Sequence, residues 1–385
     1  MYYIKNTIIM LALLLMKIQL IHASDDNNLS VGESSSNTKK TICRENPYVL
    51  IPFNTIPFEP CRTKLYNKND LYGEDFGVKD KTPLAYELTV DSIIYTDFVN
   101  KFPVPVDLAL AQRLHDHSIS VSLDNYLRQF EQRKVVGIMG GHSVAKRGTE
   151  HFTNTAKLAY RLANEGYVVI TGGGPGAMEA AHLGTWFRGR SINELEQAIA
   201  LLASVPDFTE DNPTSKTNWL GVAHKVMVDF PRKLENKDYT DVGIPTWFYG
   251  HEPSTPFASY IAKYFQNSVR EEGILALARG GIVYAPGSAG TIQEIFQDAA
   301  QNYYAKSTNP RNNFASPMIF YGKNYWRNTR DGVPADYRTV GTDVYKTLED
   351  LAKPYKTLVS ITDDIDTIVA NLKSFYTETP AIPVN

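Results

Sequence analysis

Ala285-Pro286-Gly287-Ser288-Ala289-Gly290-Thr291-Ile292-Gln293-Glu294 joins two segments of different character. Before it, Gly281-Ile282-Val283-Tyr284 is a short apolar run of the kind that forms a buried parallel strand, and after it the spacing predicts a helix from Ile292 to Tyr304. A turn of small residues between a buried strand and a helix start offers backbone N–H groups and a positive helix end to an anion. Glu294, in the first turn of that helix, stands beside whatever binds there. The same turn would also suit a chain that needed only its backbone angles, with Glu294 complementing the helix dipole. Short glycine motifs recur by chance, so the remaining sequence has to decide.

Two further turns of the same design occur upstream. Val135-Val136-Gly137-Ile138-Met139 runs into Gly140-Gly141-His142-Ser143, and helical spacing follows from Glu150 to Glu165. Tyr167-Val168-Val169-Ile170 runs into Thr171-Gly172-Gly173-Gly174-Pro175-Gly176-Ala177-Met178-Glu179-Ala180, again strand, glycine turn and small-residue helix. Successive units of this kind predict an α/β fold, a Rossmann-like doubly wound parallel sheet with helices on both faces. Its ligands bind at the carboxyl ends of the strands, where all three turns would lie. Downstream we expect a helix over Ser191 to Val205 and a polar insertion from Pro206 to Lys237 partly covering the site. A strand at Gly243 to Gly250 follows, then one or two helices over Phe257 to Arg279 with Gly273 as a break. Strands at Met318–Tyr321 and Leu358–Ile361 and a helix from Ile365 to Tyr376 complete the pattern.

The N-terminal part reads differently. Lys5, an apolar run from Thr7 to Leu15 and the switch to Ser24-Asp25-Asp26 after Ala23 predict a signal peptide over residues 1–23, too short and interrupted for a membrane span. Residues 24–45 read as a flexible linker and 46–132 as a smaller accessory domain, with helices at Asp107 to His117 and Leu123 to Phe130. The α/β domain is then expected over 133–385. The two cysteines, Cys43 and Cys61, could pair after export. The expected location is secreted or periplasmic, and cytoplasmic if the signal is not used. His115 and His117 sit two apart on a helix and point to different faces, which is poor geometry for joint metal ligation. A net charge of -3 carries no footprint for nucleic acid or an anionic membrane, whereas one phosphate needs only a local site.

The glycine turn at 172–180 and its distant partner at Pro286 to Glu294 resemble the paired signature of the LOG family, Rossmann-like nucleotide phosphoribohydrolases long labelled lysine decarboxylases. His251-Glu252-Pro253, with Tyr264-Phe265 and Arg270 after it, resembles the segment that longer members place before the second motif. The likeness covers roughly Lys134 to Tyr376 and leaves the accessory region unexplained. It implies hydrolysis of the N-glycosidic bond of a nucleoside 5′-monophosphate to free base and ribose 5-phosphate. No metal and no organic cofactor are implied, and the expected assembly is a homodimer or larger homo-oligomer. The catalytic pair implied is Glu294 and Arg270; Arg232-Lys233 lies too far upstream for the same role.

The residue types suit that reaction independently. Breaking a glycosidic bond builds positive charge on the sugar, which a carboxylate stabilises while it activates the capturing water. A guanidinium offers planar two-point contact to phosphate, carboxylate or base. The expected nucleotide contacts are Gly140, Gly141, His142, Gly172, Gly173, Gly174, Gly176, Met178, Glu179, Pro286, Gly287, Ser288, Gly290 and Thr291. Ser288 departs from the resemblance, which has glycine there. That departure sustains an alternative, a non-catalytic nucleotide or molybdenum-cofactor-type carrier. A pyridoxal-phosphate decarboxylase is disfavoured because no lysine lies within the glycine motifs.

Overall fold

The seven strands of the sheet, all parallel, are ordered β4-β3-β2-β1-β5-β6-β7. The computed structural model describes residues 56–101, 103–209, 211–233, 240–249, 252–305, 315–327 and 344–378. The signal-peptide and linker expectations, Cys43 and His251 lie outside them. In chain order the elements are α1 (Lys68–Tyr72), α2 (Val90–Asn100), α3 (Val106–Leu127), β1 (Val135–Met139), α4 (Glu150–Asn164), β2 (Val168–Thr171), α5 (Ala177–Trp186), α6 (Ile192–Leu202) and α7 (Pro213–Asp229). There follow β3 (Asp241–Gly243), β4 (Tyr260–Ile261), α8 (Asn267–Leu277), β5 (Gly281–Tyr284), α9 (Ala289–Tyr304), β6 (Met318–Tyr321), α10 (Lys323–Trp326), α11 (Val344–Leu351), β7 (Val359–Thr362) and α12 (Ile365–Glu378).

The chain lays down β1, builds outward through β2, β3 and β4, then returns to the other side of β1 for β5, β6 and β7. The direction of winding therefore reverses between β1 and β5, and the crevice of such a sheet opens beyond their carboxyl ends. β1, β5 and β2 up to its last residue, Thr171, are apolar, and all three are buried along their length, as strands covered on both faces must be. One face packs Val136, Ile138, Val169, Val283 and Ile319 against Leu158, Leu162, Ala181, Ile368 and Leu372 from α4, α5 and α12. Gly184 of α5 meets α4 so closely that a Cβ there would lie 2.2 Å from the carbonyl oxygen of Ala156. Small residues are what allow that approach.

Of the accessory domain expected over 46–132, the described residues, from 56 on, belong to the same compact unit as the sheet, Leu50–Asn385. Tyr66 pairs antiparallel with Ile261 at the outer edge of β4, through N–H···O bonds of 2.9 and 2.7 Å. Asp116 of α3 accepts from the backbone N–H groups of Phe265 and Gln266, both at 2.9 Å. The buried Lys263 ammonium donates to Asp91 of α2 at 2.6 Å. The edge strand is thus covered rather than left open for pairing. Cys61 is disulfide-bonded.

Several expectations need correction. Helices at Asp107–His117 and Leu123–Phe130 are one continuous helix, α3. The serine-rich middle stays helical because its apolar face packs, with Ile119 and Leu123 buried, while the Ser120 hydroxyl is satisfied by the carbonyl of Asp116 at 2.9 Å. The polar insertion at 206–237 is mostly α7, capped by Asn212 with Pro213 at its first turn. The strand expected at Gly243–Gly250 lies earlier, at Asp241–Gly243. The helix expected from Phe257 contains β4 instead, and helix begins only at Asn267; Gly273 lies inside it unbroken. A wholly buried apolar run has no side to alternate with, so its period misleads.

Candidate functional site

The three turns meet at the reversal point. The N–H of Gly141 donates to the carbonyl of Pro286 at 2.9 Å, joining the turns after β1 and β5. A Cβ on Gly141 would come within 2.9 Å of the Gly287 Cα, and one on Gly287 within 2.2 Å of the Thr291 hydroxyl oxygen. Gly176 has φ 74°, which glycine adopts without strain, and a Cβ there would lie 2.6 Å from the His142 Cα. Neither α5 nor α9 has a side-chain cap at its start. Apart from the Ala177 N–H, which donates to the Gly141 carbonyl at 3.4 Å, the N–H groups of both first turns are therefore left for another acceptor.

The Gly172–Gly174 turn is held from below. The Thr171 hydroxyl accepts from the Gly173 N–H at 2.9 Å and bonds His182 Nε2 at 2.9 Å, while His182 Nδ1 meets Asp241 at 2.9 Å. Arg232, the expected decoy, donates to the same Asp241 at 2.7 Å. Burial pushes the Asp241 carboxyl up, but Arg232 and His182 outweigh it and hold it well below the ordinary range. Thr171, His182 and Asp241 are fully buried, so the role of this network is to fix the turn. Met178 supports the same turn, its sulfur accepting from the Gly174 N–H at 3.4 Å.

Glu294 is 8% exposed, one turn into α9. No hydrogen bond reaches its carboxyl among the described residues. Burial pushes it up to about 7, with Arg270 drawing it down and Glu271 raising it further. Arg270, on α8, is 7% exposed. Its Nε and Nη2 donate to Asn267 Oδ1 at 3.1 and 2.6 Å, and Nη1 lies 3.1 Å from where a Gly172 Cβ would stand. The structure therefore brings Arg270 to the edge of the glycine turn and within electrostatic reach of Glu294. Glu271 accepts from Asn267 at 3.1 Å and from Gln293 at 3.0 Å.

His142 stands at the mouth of the first turn. Its Nδ1 meets Glu252 at 3.3 Å, its Nε2 meets Asp207 at 3.2 Å, and its ring stacks on Phe208. Burial opposes its charge, yet the bonds to Glu252 and Asp207 win and raise its pKa. Lys146 shares Asp207 at 2.7 Å. Ser288, which departs from the expected glycine, is exposed with an ordinary φ of -96°, so its side chain does not crowd the turn. Thr291 is buried and Gly290 exposed at the start of α9.

One expected contact is placed elsewhere. Glu179 is fully buried and its two oxygens are held by Arg147, with Nε at 3.2 and 3.0 Å and Nη2 at 2.5 Å. A carboxylate committed to a forked guanidinium in the interior cannot also grip a ribose hydroxyl. The sequence reading missed Asp207 and Phe208, which carry no motif, and gave no role to Gln293 although it lies within the 285–294 stretch. Among the described residues no cluster of His, Cys, Asp and Glu is placed to hold a metal ion.

The sequence model of the SLOG cluster4 family matches residues 133–190, which hold the first two glycine turns but not the third. The SLOG superfamily includes LOG-like proteins. No curated protein matches the chain. Among solved structures, the molybdenum cofactor binding protein of the phototrophic bacterium Rippkaea orientalis is similar at 14% identity and a TM-score of 0.33, covering 63% of this chain and 96% of its own. The Moco carrier protein of Chlamydomonas reinhardtii is similar at 15% identity and a TM-score of 0.35, covering 64% of this chain and 98% of its own.

Proposed function

We propose that the crevice binds a nucleoside 5′-monophosphate and hydrolyses its N-glycosidic bond. The observation that carries this reading is Glu294, a buried carboxyl with no hydrogen-bond partner among the described residues and a pKa near 7, between an arginine and a glycine turn at the reversal point of the sheet. The 5′-phosphate sits on the uncapped N–H groups of the turns, and Arg270 reaches it from Gly172. Glu294, ionised, stabilises the positive charge growing on the sugar and takes a proton from water. The hydroxide formed adds to C1′ as the C1′–N bond breaks, and the base leaves carrying its electron pair and acquires a proton. A group that titrates near neutral pH is suited to that exchange.

A second reading, a carrier that holds a phosphorylated ligand or cofactor intact, is favoured by one observation. The Arg270 fork is turned onto Asn267 and makes no ion pair with Glu294. Incubation with AMP, GMP, CMP and UMP, with phosphate-free nucleosides as controls, separates the two. Release of free base and ribose 5-phosphate from the nucleotides alone supports hydrolysis; ligand retained unchanged supports the carrier. Export fits the disulfide at Cys61.

A further inference from the structure

A cleft of about 650 Å³ opens between the N-terminal half of α3 and the start of α8. Two of its lining residues, Asn267 and Glu271, also belong to the polar chain that begins at Arg270, and a third, Gln293, adjoins Glu294. The cleft therefore lies next to Arg270 and Glu294. Its other wall comes from α3, outside the residues that match the SLOG cluster4 model.

The lining combines aromatic faces with uncommitted amides. Phe248 is 59% exposed at the rim and Phe265 closes the floor. Gln112 of α3 is 91% buried, and among the described residues its Nε2 has no hydrogen-bond partner; Gln266, just before α8, has a buried Oε1 in the same condition. Buried amides are normally satisfied, and leaving one unpaired costs free energy that a complementary ligand edge recovers. Each amide offers a donor and an acceptor, and the terminal torsion of glutamine is soft enough to turn either end toward the cleft. Asp116 of α3 fixes the Gln266 backbone at 2.9 Å and so ties together the two segments that contribute these amides to the lining.

We propose that this cleft is the subsite for the base of the nucleotide, with Phe248 stacking on the ring and the amides of Gln112 and Gln266 reading its edge. The inference rests on the nucleotide reading of the crevice. Stacking on an aromatic ring and two-point contact with glutamine amides are the interactions by which a planar heteroaromatic base is recognised. A phosphate does not suit the cleft, because Asp116 and Glu271 line it and offset Arg113. The segment upstream of the sheet thereby gains a function: it supplies one wall of the specificity pocket.

Calorimetric binding of AMP, GMP, CMP, UMP and ribose 5-phosphate to the full chain tests this, with Phe248→Ala and Gln112→Leu beside wild type. Wild type binds at least one nucleotide about tenfold more tightly than ribose 5-phosphate, and each variant loses about tenfold for that nucleotide. For ribose 5-phosphate the change stays within about twofold. Phe248 lies at the surface, so its removal leaves folding intact even if the Gln112 variant is impaired. Equal losses for nucleotide and ribose 5-phosphate, unchanged nucleotide binding in Phe248→Ala, or no preference for nucleotide in wild type would each overturn the subsite. Base-selective binding without base release would instead sink the hydrolase reading and leave the subsite standing.

Discussion

The amide of Gly141 and the carbonyl of Pro286 are hydrogen-bonded at 2.9 Å across the point where the sheet reverses direction. Two turns separated by more than a third of the chain are thereby one structure. Closer still, a Cβ on Gly287 would stand 2.7 Å from the Gly141 nitrogen, so this bond depends on a residue without a side chain.

Gly287→Ala should therefore force the turns apart, costing about 3 kcal/mol or more of stability and abolishing nucleotide binding. Gly290→Ala is the control. A Cβ there meets nothing within 4 Å, and alanine in the first helical turn is neutral or stabilising by up to about 1 kcal/mol. Thermal melts of the two variants check the contrast; equal destabilisation would argue against a tight junction.

Glu179 is predicted to act on stability rather than on ligand. Glu179→Gln leaves the Arg147 guanidinium buried with half its partner gone, at a cost of about 3–5 kcal/mol. A variant that melted like wild type but bound nucleotide more weakly would return Glu179 to the site.

Asp298 gives a pH signature distinct from that of Glu294. Burial pushes its carboxyl from 3.8 up to about 7, although Tyr284 donates to it at 2.8 Å. The unfolded chain releases this proton near pH 4 and the folded chain only near 7, so the native state loses stability as pH rises through that window. Asp298→Asn keeps an acceptor for Tyr284 and removes the titration. Its stability relative to wild type should improve by about 1–3 kcal/mol between pH 4 and pH 8. Denaturant melts at the two pH values measure the change, and a constant difference would contradict it.

Much of the centre of this fold was legible because its strands hide on both faces. Val135–Met139, Val168–Thr171 and Gly281–Tyr284 read as strands from continuous apolar runs that end in glycine, and those endings marked the site. β3 was expected too far along the chain because it starts at Asp241, a charge made tolerable by His182 and Arg232 from elsewhere in the chain. β4 was hidden in a run whose apolar spacing imitates a helix. Of the site, Glu294 and Arg270 were legible from their motifs. The Arg147 partner that commits Glu179 was not, nor were the amides of Gln112 and Gln266, since each depends on a contact between distant segments.

The most direct test of the account is the rate of free-base release from nucleoside 5′-monophosphates by wild type and Glu294→Gln, followed across pH 5 to 9. Glutamine preserves the shape and removes both the charge and the titration. The account predicts release by wild type that rises as Glu294 ionises around pH 7, and a loss of about 100-fold or more in the variant with nucleotide still bound. Release by the variant at the wild-type rate, or no release by wild type from any nucleotide it binds, would contradict it.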